Sequence, residues 1–129
     1  MNKKLLITGA LLGILGIGIG AFAAHGLKEL ISSEAMATFE TGVRYQMYHA
    51  LYLLFFGLSS FASSKAKKAI WILVILGVLF FSGSIYGLAT NELTSFDFKK
   101  IALITPIGGL LLILSWIVLL INVVKYKSD

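Results

Sequence analysis

The chain has 129 residues, of which 58% are hydrophobic and 13% charged, and its formal net charge is +5. Soluble domains carry about 25% charged residues, so this chain has too few charges to cover a water-facing surface. It contains no cysteine, which excludes disulfides, thiolate catalysis and cysteine-ligated metals.

Four long runs without Asp, Glu, Lys or Arg follow one another, at residues 5–24, 45–64, 69–91 and 101–124. Each reaches the roughly 20 residues that a helix needs to cross about 30 Å of hydrocarbon, where the backbone must bond internally. The sequence therefore predicts an all-α membrane protein, a single domain over residues 1–129. Its four transmembrane helices form a compact antiparallel bundle and span approximately residues 5–24, 43–62, 69–90 and 101–124.

The positions of Lys and Arg predict the orientation. One side of the four spans holds Lys3, Lys4, Lys65, Lys67, Lys68, Lys125 and Lys127, and the other holds Lys28, Arg44, Lys99 and Lys100. The richer side is expected to be cytoplasmic, so the protein is predicted to be a multi-pass protein of the bacterial cell (inner) membrane. Both termini are then cytoplasmic, with residues 2 and 128 inside. Nucleic acid is not an expected partner, because the basic residues flank apolar runs instead of forming one stripe.

The first run imitates a secretory signal, with Lys3 and Lys4 before it and Ala21-Phe22-Ala23 near its end. We expect it to be retained as a span, because it is longer than the usual apolar stretch of about 7–15 residues.

Glycines recur along one face of the first helix, at Gly9, Gly13, Gly16 and Gly20. Small residues let a second helix approach closely, which matters in lipid because packing drives helix association there. Packing within the chain, a homo-oligomer interface through helix 1, and a hinge all remain open. The other glycines expected to serve helix packing are Gly83, Gly87, Gly108 and Gly109.

A short amphipathic outer segment is predicted between helices 1 and 2. Its apolar residues recur at near-helical spacing and are Leu27, Leu30, Ile31, Ala35 and Phe39. Such a segment is typical of a membrane surface. Ser33 is expected to cap a helix that continues into the second span, and Glu40 and Arg44 are spaced to form an ion pair.

The start of the fourth span reads Thr105-Pro106-Ile107-Gly108-Gly109. Proline removes a backbone donor and glycine weakens a turn, so a kink is expected here. A simple packing bend and a broken-helix binding site both remain open.

Polar residues of all four spans fall in the outer half of the bundle. The candidate ligand-binding or polar-network residues are Arg44, Gln46, His49, Ser84, Tyr86, Thr105 and His25. Burying such groups unpaired costs several kcal/mol each. We therefore expect them to converge in one network, or to line a wet cavity open to the outside.

No catalytic residue, metal site or cofactor is predicted. The two histidines have no short ligand spacing, and the chain shows no nucleophile elbow, P-loop or dinucleotide fingerprint.

The favoured function is that of a non-enzymatic, uncharacterised membrane protein whose outer polar layer binds a small ligand, ion or lipid headgroup, or supports transport. The alternative is a structural or partner-binding subunit that uses the glycine-rich helix 1. Membrane lipids are the expected partners, a homo-oligomer through helix 1 stays open, and no specific protein partner is indicated.

Four motifs together resemble a known family. They are Gly20-Ala21-Phe22-Ala23-Ala24-His25, the segment Thr41-Gly42-Val43-Arg44-Tyr45-Gln46-Met47-Tyr48-His49-Ala50, Phe81-Ser82-Gly83-Ser84-Ile85-Tyr86, and Thr105-Pro106-Ile107-Gly108-Gly109. In this order they look like domain of unknown function 423, a family of small bacterial membrane proteins. The resemblance covers essentially the whole chain and implies a four-helix inner-membrane protein. It implies no substrate, cofactor or catalytic residue. Ser115-Trp116 differs from the Gly-Trp that is commoner in the family.

Overall fold

The computed structural model describes residues 2–127, and every regular element in that range is helical. The helices are α1 Lys3–His25, α2 Ser33–Leu58, α3 Ser64–Val78, α4 Ser84–Ala89 and α5 Ile104–Lys125. A π-helical segment, Leu79–Gly83, joins α3 to α4. The orientation expected for residue 128 lies outside the described residues.

Polar caps begin three of the helices. The side-chain oxygens of Asn2, Ser32 and Ser63 accept hydrogen bonds from backbone N–H groups in the first turns of α1, α2 and α3. Each cap satisfies a donor that the helix itself leaves unpaired. The expectation that Ser33 caps α2 is wrong by one residue, because Ser32 caps the helix and Ser33 is its first residue.

The connection from α1 to α2 is amphipathic. A 3-10 turn, Leu27–Glu29, places Leu27 in the interior with 1% of its surface exposed, whereas Leu30 is 62% exposed. Leu27 packs in a small core cluster with Ala23, Phe39 and Ala89. The apolar face of the outer segment therefore packs against the bundle. The second half of this segment forms the first turns of α2.

A single continuous helical rod, Ser64–Ala89, contains α3, the π-helical segment and α4. A π turn widens the helix and disturbs the regular i to i−4 bonding. The Ser84 hydroxyl bonds to the carbonyls of Phe80 and Phe81 within this region. A local side-chain donor thus satisfies carbonyls at the widened turn.

Pro106 does not break a helix. Helix α5 begins at Ile104, so Pro106 lies in its first turn, where the missing N–H would have no intrahelical partner anyway. The expected kink is wrong, because Pro106 lies in the first turn of α5 and residues 98–101 form a separate 3-10 turn before it. The broken-helix binding site stays a prediction.

Three helical stretches are long and apolar enough to cross a membrane: Lys3–Glu29, Ser64–Ala89 and Ile104–Lys125. Helix α2 is more polar, but it runs antiparallel along α1 for the whole length of the span. Gly57 lies against Leu5, and Gly20 lies beside Val43. Because α2 accompanies α1 through the same layer, α2 also crosses the membrane. The predicted four-helix membrane bundle is confirmed.

The bundle has two ends and one main core. We call the end at which α1 and α3 begin the lysine end, and the end that holds residues 26–32 and 90–103 the loop end. The main buried cluster draws on all four membrane-crossing rods and contains Leu5, Tyr52, Leu53, Phe56, Ile70, Val74, Val78 and Leu112. Helix α1 packs mainly on α2, and α3 mainly on α5.

Candidate functional site

Gln46 bridges α1 and α4 from the middle of α2. Its side chain is 4% exposed. The Gln46 Nε2 donates to the Leu12 carbonyl oxygen over 2.9 Å, and its Oε1 accepts from the Tyr86 hydroxyl over 2.6 Å. Both ends of the amide are therefore satisfied within the protein, across two helix interfaces.

His49 bridges α2 and α5. It is 3% exposed, and its Nε2 accepts a hydrogen bond from the Trp116 indole N–H at 3.1 Å. Its Nδ1 lies 2.7 Å from the Tyr45 carbonyl oxygen. Because a carbonyl can only accept, Nδ1 carries the proton and the imidazole is the neutral Nδ1–H tautomer. Both ring nitrogens are thereby used inside the protein.

Two serines tie the π-helical region to its neighbours. The Ser84 and Thr105 hydroxyl oxygens lie 2.5 Å apart, which links α4 to the first turn of α5. Ser82, fully buried, donates to the Gly42 carbonyl oxygen on α2 over 2.7 Å. The widened turn is thus fixed to both α2 and α5 by side-chain hydroxyls.

Arg44 and His25 lie at the surface. The Arg44 Nη2 donates to the Thr41 hydroxyl over 3.0 Å, so Arg44 does not form the expected ion pair with Glu40. His25 is exposed in the last turn of α1, where a cation would suit the helix dipole. Neither side chain reaches the buried polar groups.

The seven candidate residues therefore do not form the single network that was expected. Gln46 pairs with Tyr86, Ser84 pairs with Thr105, and His49 pairs with Trp116. The physical reason is that nearby backbone carbonyls and single partners satisfy each group locally. Among residues 2–127, every buried side-chain nitrogen and oxygen has a hydrogen-bond partner.

The predicted packing glycines fall into two groups. A methyl group at Gly9 would lie 2.8 Å from the Ala50 carbonyl oxygen, and one at Gly16 would lie 2.5 Å from the Met47 sulfur. Gly87 and Gly108 are similarly close to neighbours, whereas Gly20 and Gly109 have only ordinary contacts. Gly13 and Gly83 depart from the expectation, because a methyl group at either would meet no atom within 4 Å. The reason is that no neighbouring helix approaches either position closely enough to touch an added methyl group.

A cleft of about 310 Å³ lies between α2 and α5, with the π-helical segment at its side. We call it the α2–α5 cleft, and it is lined by Tyr45, His49, Phe81, Gly109, Leu112, Ile113 and Trp116. Tyr45, Ile113 and Trp116 are also exposed on the outside of the bundle. The cleft therefore opens sideways toward lipid, with the His49–Trp116 hydrogen bond at its wall.

Sequence reasoning placed Thr105 of α5 among the candidates but missed Trp116 and Ser115 of the same helix as hydrogen-bond partners. Trp116 bonds to His49, and the Tyr52 hydroxyl donates to the Ser115 carbonyl oxygen over 2.8 Å. The available signal was an indole N–H inside an apolar span, since such a donor requires an acceptor there. In the part of the chain that the structure describes, no three His, Asp or Glu side chains are grouped to hold a metal ion.

The match to a family model decides where this chain belongs. The model described as "Protein of unknown function (DUF423)" matches residues 19–109, which include the cores of α2 and the π-helical region. The chain belongs to the DUF423 family. The resemblance noted from the four motifs is thereby confirmed.

Relatives of this DUF423 protein match over nearly their whole length. It is 43% identical to a UPF0382 membrane protein of Staphylococcus haemolyticus over 96% of this chain and 98% of that protein. It is 38% identical to one of Haemophilus influenzae over 99% of each chain. It is 37% identical to the membrane protein YwdK of Bacillus subtilis over 96% of this chain and 98% of that protein. These names describe membrane proteins and state no activity, and no solved structure matches the chain.

Proposed function

We propose that this DUF423 protein is a non-enzymatic membrane protein that binds a bilayer-dissolved, mostly apolar molecule in the α2–α5 cleft. The observation that carries the proposal is the lateral opening of this cleft beside the His49–Trp116 pair. Its volume of about 310 Å³ is at the lower end of the range of small-molecule sites, which are mostly apolar with a few placed polar groups. The chemical class is an acyl or isoprenoid chain with one hydroxyl or carbonyl group.

The hydrogen bonding of the polar layer supports a binding role over conduction of ions. Gln46, Ser82 and His49 all have partners inside the protein. A pathway for a hydrated ion needs polar groups that face water, and such groups would be costly to leave unpaired in lipid. Tyr45 is different, because its hydroxyl forms no hydrogen bond within residues 2–127 and its ring lines the cleft. It can bond to the polar group of a ligand.

The pairing of the hydroxyls also supports a non-enzymatic role. A serine nucleophile needs a base within hydrogen-bond reach. Ser84 bonds instead to Thr105 and to two backbone carbonyls. His49 bonds to Trp116 and Tyr45 and so is not held against a hydroxyl.

Photo-crosslinking with a diazirine-bearing octadecanol tests the binding proposal in detergent-purified protein. We expect labelling to concentrate on peptides that contain Tyr45, Ile113 or Trp116, and to be competed by unlabelled octadecanol. Gly109→Leu, whose side chain would enter the cleft, should lower the yield severalfold. Gly13→Leu is the matched control and should keep it, because that position faces open space. Labelling that is not competed and is spread evenly over the lipid-facing residues would contradict the proposal.

A second candidate function is a subunit that associates through α1, either with itself or with another protein. It is favoured by the placement of α1 at the side of the bundle, packed mainly on α2. A methyl group at Gly13 would meet nothing within 4 Å, so the chain leaves room for another helix at this position. Chemical crosslinking in native membranes tests it. A dimer that Gly13→Leu removes, without loss of thermal stability, would support it, and a monomer in the parent protein would exclude the homo-oligomer.

The orientation that we propose places the lysine end in the cytoplasm of a bacterial cell membrane. The excess of lysine at that end supports it. Ser33 and Ser64 lie at opposite ends and are both exposed, and the chain has no native cysteine. In intact cells an impermeant thiol reagent should label Ser33→Cys and spare Ser64→Cys. The reverse pattern would invert the orientation.

A further inference from the structure

A second concave site lies at the lysine end, apart from the α2–α5 cleft. It has a volume of about 360 Å³ between the start of α1 and the start of α3, and it is lined by Asn2, Lys3, Lys4, Lys67, Lys68 and Trp71. We call it the lysine pocket. Four of its six residues carry a positive charge and none carries a negative charge.

No carboxylate of the described chain is near enough to neutralise these lysines. The acidic residues that the structure describes all lie at the loop end, and they are Glu29, Glu34, Glu40, Glu92 and Asp97. Four lysines therefore line one concavity, and within residues 2–127 no carboxylate lies beside them. The positive ends of the α1 and α3 dipoles add to the same field.

Lys67 makes the strongest case for a bound anion, because it is only 8% exposed. Its Nζ donates to the Ser59 carbonyl oxygen over 2.6 Å, which holds the ammonium at the pocket wall. The Ser59 carbonyl accepts from one of the three N–H donors of the ammonium group, and it does not neutralise the positive charge. A buried positive charge without a counter-ion is costly, and an anion in the pocket would offset that cost.

Trp71 gives the pocket an apolar wall on its bilayer side. Its indole N–H donates to the Thr8 hydroxyl over 2.8 Å, so the ring is fixed between α1 and α3. The Lys4 ammonium lies 5.3 Å from the centre of this ring, a cation–π distance. The site therefore has lysines around an opening and an aromatic wall of the residue type that is enriched at membrane interfaces.

We propose that the lysine pocket binds the phosphate group of an anionic phospholipid. The lysines contact the phosphate, and the glycerol and upper acyl chains follow the Trp71 ring into the bilayer. Basic pockets between membrane helices are suited to such headgroups. A soluble phosphate would satisfy the charges equally well, but it would leave the apolar wall unused. This inference does not depend on the function proposed for the α2–α5 cleft.

Native mass spectrometry of the full chain in nonionic detergent tests the proposal, with dioctanoyl phosphatidylglycerol and dioctanoyl phosphatidylcholine as probes. The parent should bind the anionic lipid about tenfold more tightly or better, since lysines close to the membrane surface attract anionic headgroups. The double variant Lys4→Gln/Lys68→Gln should lose this preference. Lys67 stays unchanged, so its contact with Ser59 is preserved.

The control is the double variant Lys65→Gln/Lys125→Gln, which removes the same charge from the same end. Both lysines are exposed and neither lines the pocket. This variant should keep the preference for the anionic lipid. Equal losses in the two double variants would show diffuse charge attraction and overturn the proposal. Inorganic phosphate that binds the parent as tightly as phosphatidylglycerol would overturn the lipid assignment, because a soluble phosphate would then be the occupant.

Discussion

Two of the interhelical contacts of α2 have opposite character. Against α1 it packs through glycines, with Gly9 close to the Ala50 carbonyl and Gly16 close to Met47. Against α5 the contact consists of side chains that reach across a gap, with Trp116 bonded to His49 and Tyr52 bonded to the Ser115 carbonyl. The first contact is closed, and the second holds the cleft of about 310 Å³.

The difference shows how a small membrane bundle can be both tight and open. In lipid no hydrophobic force pushes helices together, so a close seam requires residues without side chains. Hydrogen bonds between long side chains instead fix two helices at a distance, with space left between them. The α1–α2 seam should therefore determine stability, whereas the α2–α5 contact should determine what can bind.

The largest expected effect is at the closed seam. Gly9→Leu should destabilise the protein by about 3 kcal/mol, because overpacking is costly where the neighbour is rigid. At this position the neighbour is a backbone carbonyl. Gly16→Leu should cost less, since the flexible Met47 side chain can move aside. The measurement is thermal unfolding in detergent, followed by circular dichroism.

The control for this series is Gly13→Leu, on the same helix but with no atom within 4 Å of its added methyl group. It should unfold at the parental temperature. Equal destabilisation at positions 9 and 13 would mean that the seam is not where the structure places it.

A smaller effect is expected for the bridge between α2 and α5. His49→Leu and Trp116→Phe should each cost about 2 kcal/mol, because each leaves the other partner's polar group without a hydrogen-bond partner inside the protein or in the hydrocarbon. The double variant should cost about 1 kcal/mol less than the sum of the single variants. Chemical unfolding of all four proteins in the same detergent measures this coupling. Strict additivity would show that the two side chains do not interact.

The smallest effect is expected for Tyr52→Phe, which removes the hydroxyl bonded to Ser115 and keeps the ring. The ring centre lies 4.2 Å from that of Trp116, so the stacking is preserved. A loss of about 1 kcal/mol is typical of one neutral hydrogen bond. Tyr48→Phe is the matched control, because Tyr48 is 52% exposed, and its unfolding midpoint should not change. A midpoint of Tyr52→Phe equal to that of this control would show that the bridge contributes nothing.

The sequence predicted the membrane architecture because apolar runs of sufficient length have few other solutions. The sequence predicted the local helix geometry less well, because the residues at these positions form no recognisable pattern. The π turn at Leu79–Gly83 contains no proline, and Gly83 is its last residue, so the pattern does not distinguish it from a regular helix. The hydroxyl contacts of Ser82 and Ser84 in this region become visible only in the structure. The sequence predicts a kink at Pro106 because the uncharged run gives no sign that α5 begins only at Ile104. A proline in the first turn of a helix does not kink it.

The candidate site was also only partly predictable from the sequence. Gln46 and His49 could be recognised as groups that need partners, since hydrocarbon offers none. The partners themselves could not be read from the sequence. Gln46 donates to the Leu12 carbonyl, and any residue would offer such an acceptor, so no side-chain pattern identifies it. Packing alone decides which carbonyl is in reach.

The π-helical segment sets the rotation of everything that follows it in the rod. One residue of an α-helix corresponds to a rotation of about 100°, and a π turn is equivalent to one inserted residue. Deleting a single residue between Leu79 and Gly83 would turn α4 by about that angle relative to α3. Gly87 would leave the Phe98 ring, and Tyr86 would leave Gln46, although every span would keep its length and hydropathy. The number of residues between α3 and α4 is therefore constrained as tightly as the identities of the residues on either side of the π-helical segment.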